Sequence, residues 1–155
     1  MKLTLAEARA IIRRAIDKGR EVDWISTHAV CDEGGNLISL SRADGAPQGA
    51  APVARAKAYL AAVTGRPTIL FANRMDAHPL RYHGYKAILS RPVFPGPGAM
   101  PITRDKRVVG GYSSNISSNE GGMKIAVEGK KLSRADIVTA HALEVPYLEQ
   151  HPDVP

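Results

Sequence analysis

Apolar residues recur at Leu5, Ala8, Ile11, Ile12, Ala15 and Ile16, the spacing of one helical face, while Arg9, Arg13, Arg14 and Lys18 take the other faces. Thr4 and Glu7 fit a capping box in front of this run, and Gly19 is a stop signal behind it. From Val22 to Asp32 the period changes to two. Trp24, Ser26, His28 and Val30 fall on one face of a strand, and Ile25, Thr27, Ala29 and Cys31 on the other. The turn cluster Glu33, Gly34, Gly35 and Asn36 then leads into Leu37, Ile38 and Leu40. The stretch Ala29 to Pro47 therefore reads as a β-hairpin that closes in a second turn, Arg42 to Pro47.

A second helix is predicted from about Gln48 to Thr64, with Gly65 as its stop and a thin face of Ala50, Ala54, Ala58, Ala61 and Ala62. That face suits close packing against a sheet or a sister subunit. Pro67 to Asp76 reads as a short helix broken by His78 and Pro79, and Leu80 to Ser90 fits helix and strand equally. Prolines and glycines from Pro92 to Gly98 form a loop. Ala99 to Thr103 and Arg107 to Ser113 read as two strands around Arg104-Asp105-Lys106, with Gly110 and Gly111 marking a bulge or a close backbone approach. A polar insertion at about 113–131 reads as a loop. A last helix starts at Arg134 and runs to about Glu144, its tail reaching about residue 149 with Pro146 bending or ending it. The sum is a single α+β domain over residues 1–155, an antiparallel sheet of about five strands with helices mainly on one face.

Composition narrows the class. The chain has 155 residues, 44% apolar and 23% charged, as in a soluble globular domain. Its +6 net charge permits an anionic partner. No basic run interleaved with aromatics points to nucleic acid, and no segment is long and apolar enough to suggest a membrane span or a secretory signal. The expectation is a cytoplasmic protein that takes an anionic small molecule. The lone Cys31 excludes an internal disulfide.

Several separated motifs, in order, resemble the GlcG/HbpS family, also called the haem-degrading family and similar to the C-terminal domain of PduO-type proteins. They are Leu3 to Ala8, Val30 to Leu37, Arg42 to Pro47, Ala56-Lys57-Ala58 and Gly65 to Thr68, followed by Gly98 to Ile102 and Val108 to Gly110. The resemblance implies a profilin-like fold and assembly into homo-oligomers. It implies haem or a related tetrapyrrole as a cofactor for some members, and catabolic operons for others. It carries no shared catalytic motif onto this chain. The departures from the family are Gly111 to Asn115, the polar insertion, and the His/Arg-rich stretch from Asn73 to Arg91.

That stretch supplies the candidate chemistry. Arg74, Arg81, Tyr82 and Lys86 are candidate ligand-binding residues, because guanidinium groups hold carboxylates in a bidentate fork. Asn115, in the polar segment, joins them. His78, His83 and Glu120 are the candidate proton-transfer groups. If haem binds, His78, His83 and His28 are the candidate axial ligands. The five-residue separation of His78 and His83 fits zinc, but no cysteine pair or HExxH completes such a site, and only His28 or Glu120 of another subunit would. Cys31 reads as a buried apolar residue. Three functions stay open: a haem- or tetrapyrrole-binding protein, a cofactor-free isomerase, hydratase or deaminase acting on an anionic carboxylate or ring-cleavage metabolite, and a non-catalytic oligomeric accessory protein.

Overall fold

The computed structural model describes residues 2–21, 23–116, 124–127 and 130–144. The first helix, α1 (Leu5–Glu21), is opened by the predicted capping box. The Thr4 amide and hydroxyl donate to Glu7 Oε2 at 2.8 and 2.7 Å, and the Glu7 amide donates back to Thr4 Oγ1 at 3.3 Å. Gly19 does not stop the helix. It is buried in the last turn, and its carbonyl accepts the Trp24 amide at 2.9 Å.

Strands β1 (Ser26–Asp32) and β2 (Leu37–Arg42) form the expected hairpin. The register slips at Val30/Cys31, which places Leu37 opposite Cys31 and Leu40 opposite Ala29 on one face of the sheet. Helix α2 (Ala50–Thr64) ends where predicted, with Gly65 at φ 63°. It is followed by α3 (Thr68–Ala77) and α4 (Pro79–Ile88). The stretch that fitted helix or strand is α4: Pro79 opens it, and Tyr82, Tyr85 and Leu89 pack inward at helical spacing onto Tyr59, Leu60, Phe71 and Val93. This is why the main sheet has four strands and not about five.

Strands β3 (Ala99–Arg104) and β4 (Arg107–Ile116) complete that sheet, in the antiparallel order β2-β1-β4-β3. The polar segment is not all loop. Strand β4 runs on to Ile116, and β5 (Lys124–Val127) with β6 (Lys130–Ser133) makes a separate two-stranded ribbon. The last helix, α5 (Arg134–Leu143), ends where Glu144 takes φ 55°. The tail beyond it, with Pro146, lies outside the described residues.

Helices cover both faces of the sheet, not mainly one. The alternation in β1 explains it, because both of its faces are apolar at the centre. Val30 joins Ile11, Ile12, Ile102, Tyr112, Val138 and Ala142 in the core under α1 and α5. Ala29 and Cys31 face α2 and meet Ala54, Ala58 and Ala62. The approach of α2 is close enough that a Cβ on Gly111 would lie 2.2 Å from the Ala58 carbonyl oxygen. The thin alanine face thus packs on the sheet.

The β3–β4 turn is strained, with Asp105 and Lys106 at φ 48° and 63°, a two-residue reversal that prefers Asn-Gly. Replacing the pair (Asp105→Asn with Lys106→Gly) is expected to stabilise the protein by about 1 kcal/mol, read as a higher urea midpoint. An unchanged or lower midpoint would show that the turn carries no strain.

Candidate functional site

The hairpin and α2 enclose a groove of about 430 Å³. Its walls are largely apolar, with Leu37 and Leu40 from β2 facing Ala56 and Tyr59 from α2, and two guanidinium groups, Arg55 and Arg91, stand in its lining. The volume and the mix of apolar wall with few charged groups are those of a small-molecule site. Leu37 of that lining directly follows the β1–β2 turn, and the turn is bonded internally. Asp32 Oδ1 accepts the amides of Gly34 and Asn36 at 3.0 and 2.7 Å, and Oδ2 accepts Asn36 Nδ2 at 2.9 Å. Partial burial alone would raise the Asp32 carboxyl. The hydrogen bonds from Asn36 and Gly34, together with the charge of Arg91, outweigh it and hold the group below the usual carboxylate range.

The turn in turn orients Arg91, which donates to the Gly35 carbonyl and to Asn36 Oδ1 at 2.6 Å. The guanidinium carbon lies 5.6 Å from the centre of the Tyr59 ring. Gly35, at φ 76°, is required there, because a Cβ would lie 2.1 Å from the Tyr59 ring. Arg55, by contrast, is exposed, and no carboxylate among the described residues lies within ion-pair distance of it.

On the opposite side of α2 a polar cluster is buried. Lys57, 2% exposed, donates from Nζ to the carbonyls of Pro97 at 2.9 Å and Ser114 at 2.8 Å. Asp136 of α5 accepts the Gly98 amide at 2.7 Å, and Thr139 donates to the Gly98 carbonyl at 2.9 Å. Burial lowers the Lys57 ammonium to about 8, against the opposing pull of Asp136. The cluster ties α2, β4, α5 and the loop before β3 together.

The predicted residues are dispersed. His28 is fully buried between α1 and the sheet, with Nδ1 2.9 Å from the Tyr112 hydroxyl and Nε2 2.8 Å from Ser26 Oγ. Burial, with a smaller push from the Lys57 charge, lowers it to about 4, so it is a neutral core histidine at physiological pH. Both ring nitrogens are engaged, which leaves none for an iron. Arg74 and Arg81 come together with Phe71 and Tyr85 around a small cleft, as the clustering in sequence suggested. His78 sits exposed at the α3–α4 junction and His83 exposed on α4. Lys86 Nζ lies 5.6 Å from the Tyr82 ring centre. Asn115 is in the sheet opposite Thr27, apart from that arm. Glu120 lies outside the described residues. Cys31 is buried, and desolvation pushes its thiol up to about 12, as expected of an inert apolar cysteine. Among the described residues no group of three His, Cys, Asp or Glu is placed to hold a metal ion.

Sequence reasoning missed Arg55, Arg91 and Tyr59 as a group. Arg91 is held by the hairpin turn some 55 residues away, which no local pattern reports. Lys57 left a readable trace, a lysine amid the alanines of a helix otherwise built to be buried.

A sheet held between α2 on one face and the α1–α5 pair on the other defines a class of small α+β domain, and solved structures share it. The Klebsiella pneumoniae protein ORFY superposes with a TM-score of 0.74 at 19% identity, covering 93% of this chain and 90% of its own. A double mutant of Streptomyces reticuli HbpS gives 0.70 at 24%, covering 92% and 83%. The PduOC–haem complex gives 0.71 at 16%, covering 93% and 94%. At these identities the likeness is one of fold. The chain itself belongs to the family described as "Haem degrading protein HbpS-like", whose model matches residues 3–131. Protein GlcG of Escherichia coli K12 is 29% identical over 104 residues, 66% of this chain and 73% of GlcG.

Two outcomes follow from the buried polar groups. The folded His28 binds its proton more weakly than the unfolded one. Its contribution is therefore complete above pH 6.5 and is lost as pH falls towards 4, by roughly 3 kcal/mol. Urea midpoints between pH 7 and 4.5 should drop in the parent and drop less in His28→Asn; parallel slopes would contradict a neutral buried imidazole. Lys57→Met leaves two carbonyls and Asp136 without the ammonium and should cost about 3–5 kcal/mol by the same measurement. A cost below about 1 kcal/mol would show that the cluster does not hold these elements together.

Proposed function

We propose that this protein binds haem or a related tetrapyrrole in the groove between α2 and β2. The observation that carries the reading is the pairing of an apolar wall with two guanidinium groups, Arg55 and Arg91. A flat apolar ring bearing carboxylates needs that combination. Membership of the HbpS-like family and the fold shared with the PduOC–haem complex support it. The residues present fit the ring and its carboxylate edge. None of the groove's lining residues is a histidine or cysteine. A nitrogen ligand for the iron would be supplied by His78 or His83 on the exposed α3–α4 arm, of the same or a neighbouring copy.

In this reading Arg91 is pre-oriented by the hairpin turn and meets a carboxylate with little loss of side-chain freedom, whereas Arg55 closes on it from solvent. Bound haem would supply redox and oxygen chemistry, and this chain's part is to hold the ring and exclude water from its face. Homo-oligomeric assembly belongs to the same proposal. Leu80 and Ile88 of α4, 84% and 77% exposed, are apolar surface that such assembly would cover.

The test is a titration with haem and, separately, with metal-free protoporphyrin, followed by absorbance and by quenching of Trp24 fluorescence. Both should bind at stoichiometric concentration, and Arg55→Ala and Arg91→Ala should each weaken binding about tenfold. Haem binding without protoporphyrin binding, abolished by His78→Ala or His83→Ala, would move the site to the α3–α4 arm. No change with either ligand would end the tetrapyrrole reading.

A further inference from the structure

The sheet order leaves β2 at an edge, hydrogen-bonded only to β1 among the described residues. An open edge presents a row of unpaired amides and carbonyls, and proteins usually blunt it with lysine, proline or charge along the strand. Strand β2, Leu-Ile-Ser-Leu-Ser-Arg, has no proline and carries its single charge at the last position, Arg42.

The edge is flanked by a groove of about 670 Å³ on the α1 side, distinct from the groove facing α2. Arg9, Arg13 and Arg20 line it from α1, above the partly buried Ile16, and Ser39 and Ser41 line it from β2. Only Asp17 offsets the three guanidinium groups, and it lies 3.8 Å from Arg20. No carboxylate among the described residues is within ion-pair distance of Arg9 or Arg13. The two are one turn apart on the same face, a like-charge spacing that costs an isolated helix about 0.2–0.5 kcal/mol. Unbalanced charge of this kind beside an open edge calls for an anionic partner that can also complete the ladder.

We propose that the outer edge of β2 is a docking site for an extended acidic peptide, which adds as a further strand and places alternate carboxylates in the groove under Arg9, Arg13 and Arg20. An added strand would lie about 4.8 Å beyond β2 and send every second side chain to the α1 face. The side chains between them would point to the α2 face, where Leu37 is exposed, so apolar residues fit there. Charge decides against a second copy of this chain in the same position. Antiparallel pairing of two β2 edges about a two-fold axis would bring the α1 arginines of both copies to the same face of the joined sheet. Nucleic acid fits poorly, because the groove's lining holds no aromatic ring on which a base could stack.

The experiment uses the full chain and a fluorescein-labelled synthetic octapeptide alternating glutamate and valine, followed by anisotropy. Binding is expected, weakening as salt rises. It should fall at least about tenfold in Arg9→Glu/Arg13→Glu, whose side chains are exposed and leave the core untouched. It should also fall for a peptide of the same composition with its glutamates in one block, and for one N-methylated at alternate amides, since the first loses the register and the second the ladder. Equal binding by the block or N-methylated peptide would reduce the effect to charge alone and overturn strand addition, as would no binding. A change in the oligomeric mass of Arg9→Glu/Arg13→Glu, read by light scattering, would assign the edge to a second copy and overturn the proposal.

Discussion

The distance at which α2 rides on the sheet governs much else in this molecule. It is set by small residues: Ala54, Ala58 and Ala62 on the helix meet Ala29, Cys31 and the bare backbone of Gly111. A larger side chain at any of these positions would lift the helix. With α2 held down, the Lys57 ammonium reaches the carbonyls of Pro97 and Ser114, and the Tyr59 ring lies against Gly35. A helix raised by one methyl group would leave the lysine buried without its acceptors, and that is far more costly than the lost apolar contact.

The same helix therefore serves two environments. One edge lines the groove, Arg55 among its residues, and the other inserts a charge into a closed cluster with Asp136, Gly98 and Thr139. The cluster fixes the helix that forms one wall of the groove. Its other wall, from β2, follows the β1–β2 turn, which is stiffened separately by three hydrogen bonds to the Asp32 carboxylate and by Arg91. A ligand entering between them meets two pre-formed walls and spends little binding free energy on ordering them.

The opposite face is built on different terms. There α1 and α5 cover larger side chains, and His28 with Tyr112 and Ser26 forms a polar pair-and-partner inside an apolar layer. Arg14 joins the two helices by donating to the Ala142 carbonyl at 2.8 Å. This face stabilises the domain, and at its outer margin, where α1 passes β2, Arg9 and Arg13 have no carboxylate within ion-pair distance among the described residues, while Asp17 lies beside Arg20.

Much of the local architecture was legible in the chain. The Thr4–Glu7 box, the glycine turn of the hairpin, the stop at Gly65 and the period-two faces of β1 each depend on neighbours within a few residues, where sequence spacing is spatial spacing. The clustering of Arg74 with Arg81 survived for the same reason. The destinations of His28, Lys57 and Arg91 were not legible. Their partners, Tyr112, Ser114 and Gly35, lie 84, 57 and 56 residues away, and only the stacking of the layers brings them into contact. Sequence alone determined which segments are helices, strands and turns in most of the chain, and the family to which they correspond. The tertiary structure decided which polar groups are sealed in the core and which line a groove, because burial is a property of the assembled layers and not of any segment by itself.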